Sequence, residues 1–97
     1  MRPVKLRYDR RATADIGEIH SHIAQHDRLA ASRVMARIRV LSEQLTEHPF
    51  LGRTTDQPQI RVRSVVRYPY PIFNTLKPDE VVILHFRHAA RRQPAPG

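Results

Sequence analysis

Residues 27–63 read DRLAASRVMARIRVLSEQLTEHPFLGRTTDQPQIRVR, and within them the hydrophobic period changes once. Ala31, Val34, Ile38, Leu41 and Leu45 step by three and four, which draws an apolar stripe along one side of a helix. Asp27 stands where its carboxylate can cap the first turn. His48-Pro49 closes the helix, because proline has no N–H to continue the ladder. Phe50-Leu51-Gly52-Arg53 supplies the turn. From Ile60 the step becomes two: Ile60 and Val62 alternate with Arg61 and Arg63, the pattern of a strand with one wet face. A helical segment that gives way to strands indicates an α+β domain, in which the helical stripe is buried by a sheet.

The flanking residues extend this layout. Val4, Leu6 and Tyr8 alternate with Lys5 and Arg7 and predict an N-terminal strand. Asp9 can cap the helix that follows, whose Ala12, Ile16, Ile19 and Ile23 share a stripe, with Asp15, Glu18, His22 and His26 placed on its polar side. Gly17 and the β-branched isoleucines are weak helix formers, so packing must hold this helix. The short link before Asp27 makes the two helices an antiparallel hairpin. After Arg67 comes Tyr68-Pro69-Tyr70-Pro71, where two missing donors predict an edge, a bulge or a bend. Lys77-Pro78-Asp79 is a turn, and residues 81–86, apolar on both faces, predict a central strand. The expectation is one domain over residues 1–92, an antiparallel helical hairpin on a small, mostly antiparallel sheet, with 93–97 as a loose end.

Ninety-seven residues suit one domain and leave no room for a second core. The absence of cysteine excludes disulfides, thiolate metal sites and cysteine nucleophiles. The longest apolar run is four residues, Val81 to Leu84, too short for a transmembrane helix or a secretory signal core. The opening MRPVKLRYD reads as a first strand rather than a targeting peptide, so no membrane partner is expected and the expected compartment is the cytoplasm.

Charge is the strongest compositional feature. Seventeen Lys and Arg against nine Asp and Glu give +8, and only Lys5 and Lys77 are lysines. A small domain so unbalanced suits an anionic partner: a nucleic acid or an acidic protein. Arg fits phosphate and carboxylate geometry better than Lys, although a GC-rich genome also enriches arginine. Arg61 and Arg63 share one strand face, and Arg67, Arg87 and Arg91 fall on or beside neighbouring strands; together they are candidate contacts to a target or a phosphate, and equally a solvated sheet face. His88, beside Arg87 and near Arg91, has the residue type for a general acid, and also for a structural histidine donating to a backbone carbonyl. His22 and His26 sit at i, i+4, but Ile23 replaces the glutamate of a metalloprotease pattern, so no metal and no cofactor are expected. Arg33 and Arg37 are like charges at i, i+4 that an acidic partner would relieve. No G-x-G phosphate loop is present, and Ser21, Ser32, Ser42 and Ser64 lack a nucleophile-elbow context.

Several separated pieces, in order, resemble the RelE/ParE toxin superfamily of type II toxin–antitoxin systems. They are Ala14-Asp15-Ile16 through Ile19 and Ile23, Leu45 through Pro49-Phe50-Leu51-Gly52-Arg53, Ile60-Arg61, Tyr70-Pro71-Ile72-Phe73, and Val82-Ile83 through His88-Ala89-Ala90-Arg91. The resemblance implies a cognate antitoxin, acidic where it binds, seated on a groove to which Ile16, Ile19, Ile23, Arg33, Val34, Arg37, Ile38 and Leu41 would contribute. It also implies that the free toxin can dimerise through that groove. One branch cleaves mRNA on the ribosome; here Arg63 and Arg87 would be its cations and His88 its acid, with Glu43 or Glu47 the candidate bases. The other, ParE-like branch binds DNA gyrase without that catalytic set. Ala89 and Asn74 stand where the nuclease branch often has tyrosine, and the His-Ala-Ala-Arg piece and long first helix are more similar to the ParE branch. The expectation is therefore a ParE-like growth inhibitor; the alternatives are a ribosome-dependent endoribonuclease and a generic basic nucleic-acid-binding module.

Overall fold

The computed structural model describes residues 4–65 and 68–88. Among them the chain runs β1 (Lys5–Tyr8), α1 (Arg10–Ala24), α2 (Arg28–Glu47), β2 (Arg53–Thr54), β3 (Ile60–Val65), β4 (Tyr68–Lys77) and β5 (Glu80–Phe86). The strands form one mixed sheet in the order β1-β5-β4-β3-β2. β3, β4 and β5 make an antiparallel meander, and β1 joins β5 in parallel with Leu6 opposite Val81 and Tyr8 opposite Ile83. This is the α+β layout expected from the change of period. The loose end expected at 93–97 lies outside the described residues.

The helical stripes are spent on the core. Ala12 and Ile19 of α1 meet Ile38, Leu41 and Leu45 of α2 over Ile72, Val81, Ile83 and Phe86 of the sheet. Burial of each large side chain contributes roughly 1.5–3 kcal/mol, which holds α1 despite its weak formers. Asp27 caps α2, its Oδ1 accepting the Ala30 N–H at 2.9 Å. Asp9 stands at the N-cap of α1 but makes no side-chain cap bond. Its backbone N–H instead donates to Ile83 O at 2.8 Å and prolongs the β1–β5 ladder into the helix start.

Two irregularities decide which side chains share a face. β4 lies between β5 and β3, so the edge position suggested by Pro69 and Pro71 does not occur; the irregularity is a register shift between Arg63 and Val65 on β3. On β5, Asn74 pairs with Ile83 while the adjacent Phe73 pairs with His85, so Leu84 is an extra, bulged residue. Before the bulge Val81 and Ile83 face the helices; after it Phe86 does, and His88 follows on the same side. β2, a two-residue strand, pairs Arg53 with Val62 and was not legible as a strand.

Candidate functional site

The helical hairpin packs over β1 and β5 and reaches Ile72 on β4. Beyond Ile72, the helix-facing side of β3 and β4 carries a cleft near the C-terminal end of α2, where Phe50 follows the helix. Register places Arg61 opposite Asn74 and Arg63 opposite Ile72, so both arginines stand on that face, Arg61 in the cleft and Arg63 against α2. Arg63 reaches α2: Nη1 donates to the Leu41 carbonyl at 3.0 Å and Nη2 to Gln44 Oε1 at 2.7 Å. Partial burial, with Arg37 nearby, draws this guanidinium below its ordinary pKa. Arg61 Nη1 donates to Gly52 O at 2.6 Å, and its guanidinium lies 5.0 Å from the centre of the Phe50 ring. Phe50 is 68% exposed, and Leu51 and Val40 nearby in sequence are also exposed.

Phe50, Pro58, Gln59, Arg61, Asn74, Thr75 and Leu76 line the cleft. Its geometry depends on Gly52, where a Cβ would stand 2.8 Å from Val62 O and 3.3 Å from Arg61 Cβ. Gly52→Ala should therefore push the turn off β3 and lower stability by about 1–3 kcal/mol, read in a urea or thermal melt.

The sequence-predicted arginines do not form one patch. Arg87 lies on the opposite face of the sheet, 5.5 Å from the Phe73 ring, which itself stacks on His85 at 4.3 Å and 8°. There it shares a shallow concavity with Arg53, Thr54, Thr55, Asp56, Val62, Ser64 and Pro71. The cause is register: Phe73 and His85 pair with each other, one residue out of phase with the Ile72–Phe86 pair on the helix side. Arg67 and Arg91 lie outside the described residues.

His88 is displaced further from expectation. Its side chain is 1% exposed, and Nε2 lies 3.2 Å from Asp15 Oδ1 and 3.6 Å from Glu18 Oε2. It is held under α1 by carboxylates, on the side of the sheet opposite Arg87 and away from the surface, so it is a structural histidine rather than an accessible acid. Asp15, expected on the polar side of α1, is completely buried, and its Oδ2 accepts the Phe86 N–H at 2.9 Å. The signal was present: Asp15 stands three residues after Ala12 and four before Ile19, inside the buried stripe. The donor atoms of Asp15, Glu18 and His88 lie within 4.8 Å of one another, close enough to hold a cation, and the same atoms already link α1 to the end of β5. His22 and His26, the pair weighed as ligands, are exposed and meet edge to face with ring centres 6.4 Å apart.

Of the groove residues expected to meet a partner, Ile19, Ile38 and Leu41 are buried in the core and unavailable. Arg33 and Arg37 are exposed, and Ile16, Ile23 and Val34 are half-buried. The apolar spacing of the buried and half-buried residues packs the hairpin on the sheet. The open surface lies one strand further on.

Residues 6–93 match the family described as the ParE toxin of the type II toxin–antitoxin system parDE. The chain belongs to the ParE toxin family. A relative in Caulobacter vibrioides, named Toxin RelE2, is 36% identical over 84% of this chain and 90% of its own length. The fold is that of a chain in the chromosomal ParDE system from P. aeruginosa, with a TM-score of 0.75 and 23% identity over 86% of this chain and 92% of that one. As a ParE-family toxin, the chain is the toxin component of a type II toxin–antitoxin system. Among its described residues no helix is long and apolar enough to cross a membrane.

Proposed function

We propose that this toxin arrests growth by binding DNA gyrase, and that an acidic antitoxin neutralises it by filling the cleft beside α2. The observation that carries the second half is the open cleft itself, lined by Arg61 and exposed Phe50, with Arg63 on the same face. An acidic amphipathic segment complements that surface, burying apolar side chains while its carboxylates meet the guanidinium groups. The gyrase target follows from the resemblance to the ParE branch and from the position of His88. A ribonuclease needs cations and an acid converging on one phosphate. Here Arg63 and Arg87 occupy opposite faces, and His88 is enclosed with Asp15. Glu43 and Glu47 on α2, the candidate bases, have no catalytic partner to serve without them.

The test uses purified protein in two assays. Supercoiling of relaxed plasmid by gyrase should fall in proportion to toxin added, while mRNA on translating ribosomes stays intact. The protein encoded in the adjacent reading frame should restore supercoiling. Cleavage of ribosome-bound mRNA, with gyrase unaffected, would overturn the gyrase assignment.

A further inference from the structure

We propose that Asn74 is a peptide-bond receptor at the floor of the cleft, the point at which the antitoxin backbone itself is recognised; this rests on the antitoxin neutralisation proposed above. Asn74 is 0% exposed, and neither Oδ1 nor Nδ2 has a hydrogen-bond partner among the described residues. Its neighbours on that face are Ile72, Leu76 and the directly opposed Ile83, all apolar, and Arg61 across on β3, whose Nη1 donates to Gly52 O instead. A buried amide is costly when unpaired, and a leucine would fill the same space without that penalty. The residue type is therefore unexplained by packing. It is explained by a ligand, because a carboxamide presents one donor and one acceptor side by side, the complement of a peptide N–H and C=O.

The surrounding walls define the rest of the occupant. Phe50, Pro58 and Leu76 form an apolar slot, and Arg61 is the charged group of that lining. The matching segment carries an apolar side chain for the slot and a carboxylate for Arg61. Arg61 stands opposite Asn74 on the same face, held by the Gly52 carbonyl and the Phe50 ring. A carboxylate competes with that neutral carbonyl for the guanidinium, since charge-assisted bonds are about twice as strong as neutral ones. Arg61 then swings from Gly52 and uncovers the amide beneath.

Asn74→Leu separates this from a structural role. The free variant should melt several degrees higher than wild type, because it no longer encloses an unpaired amide. Its affinity for the adjacent-frame protein, by calorimetry, should fall about tenfold or more. In labelled wild-type toxin, the side-chain amide resonance of Asn74 should shift on complex formation. Asn74→Ser, smaller and still polar, serves if the leucine variant fails to fold, and should lose the same affinity. A lowered melting temperature with unchanged affinity would overturn the proposal and make Asn74 a group satisfied within the free fold. Wild-type toxin that does not bind the adjacent-frame protein would overturn the antitoxin proposal and this one with it. Equal binding by wild type and variant would overturn this one alone.

Discussion

Asp15→Ala should destabilise the domain by about 3–5 kcal/mol, the largest loss expected from any single polar position. β1 ends at Tyr8 opposite Ile83, so among the described residues the far end of β5 has no strand on that side. The Phe86 N–H points into the vacated side, because the next N–H, that of Arg87, donates to Pro71 across on β4. Asp15 replaces the missing strand: one carboxylate oxygen takes the Phe86 N–H at 2.9 Å, and the other faces His88 Nε2 at 3.2 Å. Truncation leaves a buried N–H, an imidazole without that carboxylate, and a void under α1. A domain of this size has only about 5–15 kcal/mol in total. At roughly 4–8 °C per kcal/mol, the melting temperature should fall by about 12–40 °C. Asp15→Asn keeps an acceptor for Phe86 and should lose less than half as much. In a His88→Ala background, Asp15→Ala should cost less than in wild type, since half of its work is already gone. A fall of only a few degrees for the single alanine variant would show that α1 is held by Ile19 and Ala12 alone.

The elements were legible where one physical signal dominated. The stripe Ala31-Val34-Ile38-Leu41-Leu45, the Asp27 cap and the His48-Pro49 stop gave α2 with its ends correct to within a residue. What failed was assignment to faces. Residues 81–86, apolar on both faces, do not say which side chain faces which way; one extra residue at Leu84 shifts every later side chain, and only pairing with β4 reveals it. Arg87, expected near Arg61 and Arg63 because its strand is a neighbour, therefore ends on the other face, and His88 ends in the core. Asp15 was misplaced for a different reason. Its spacing was that of a buried position, and its charge argued for solvent; a backbone N–H seventy-one residues away decided the matter. The capping role of Asp9 likewise yielded to a tertiary bond, from its own N–H to Ile83. Asn74 attracted notice in the sequence only as a departure from a family tyrosine, because nothing local marks a buried amide.

Arg61→Glu combined with Arg63→Glu should weaken antitoxin binding by about a thousandfold, corresponding to several kcal/mol of lost attraction and new like-charge repulsion. Both guanidinium groups stand on the cleft face of one strand, and their partners in the free toxin are weak competitors: the Gly52 carbonyl, the Leu41 carbonyl and the Gln44 amide. An incoming carboxylate displaces these neutral acceptors readily, whereas a glutamate at either position repels it. Arg63 also ties α2 to β3, so its reversal costs stability as well as affinity. Arg61→Glu alone leaves that tie intact and is the control for folding. Growth assays should separate the two functions. Cells expressing the single variant should arrest as wild type does, because the cleft serves neutralisation rather than gyrase binding, yet co-expression of the adjacent-frame protein should no longer rescue them. In vitro, wild-type affinity should fall as salt rises, and the variants should show a shallower dependence because fewer charges are screened. Rescue of Arg61→Glu to wild-type growth would mean that the antitoxin grips another surface. Loss of arrest without loss of fold would mean that the cleft meets the cellular target directly.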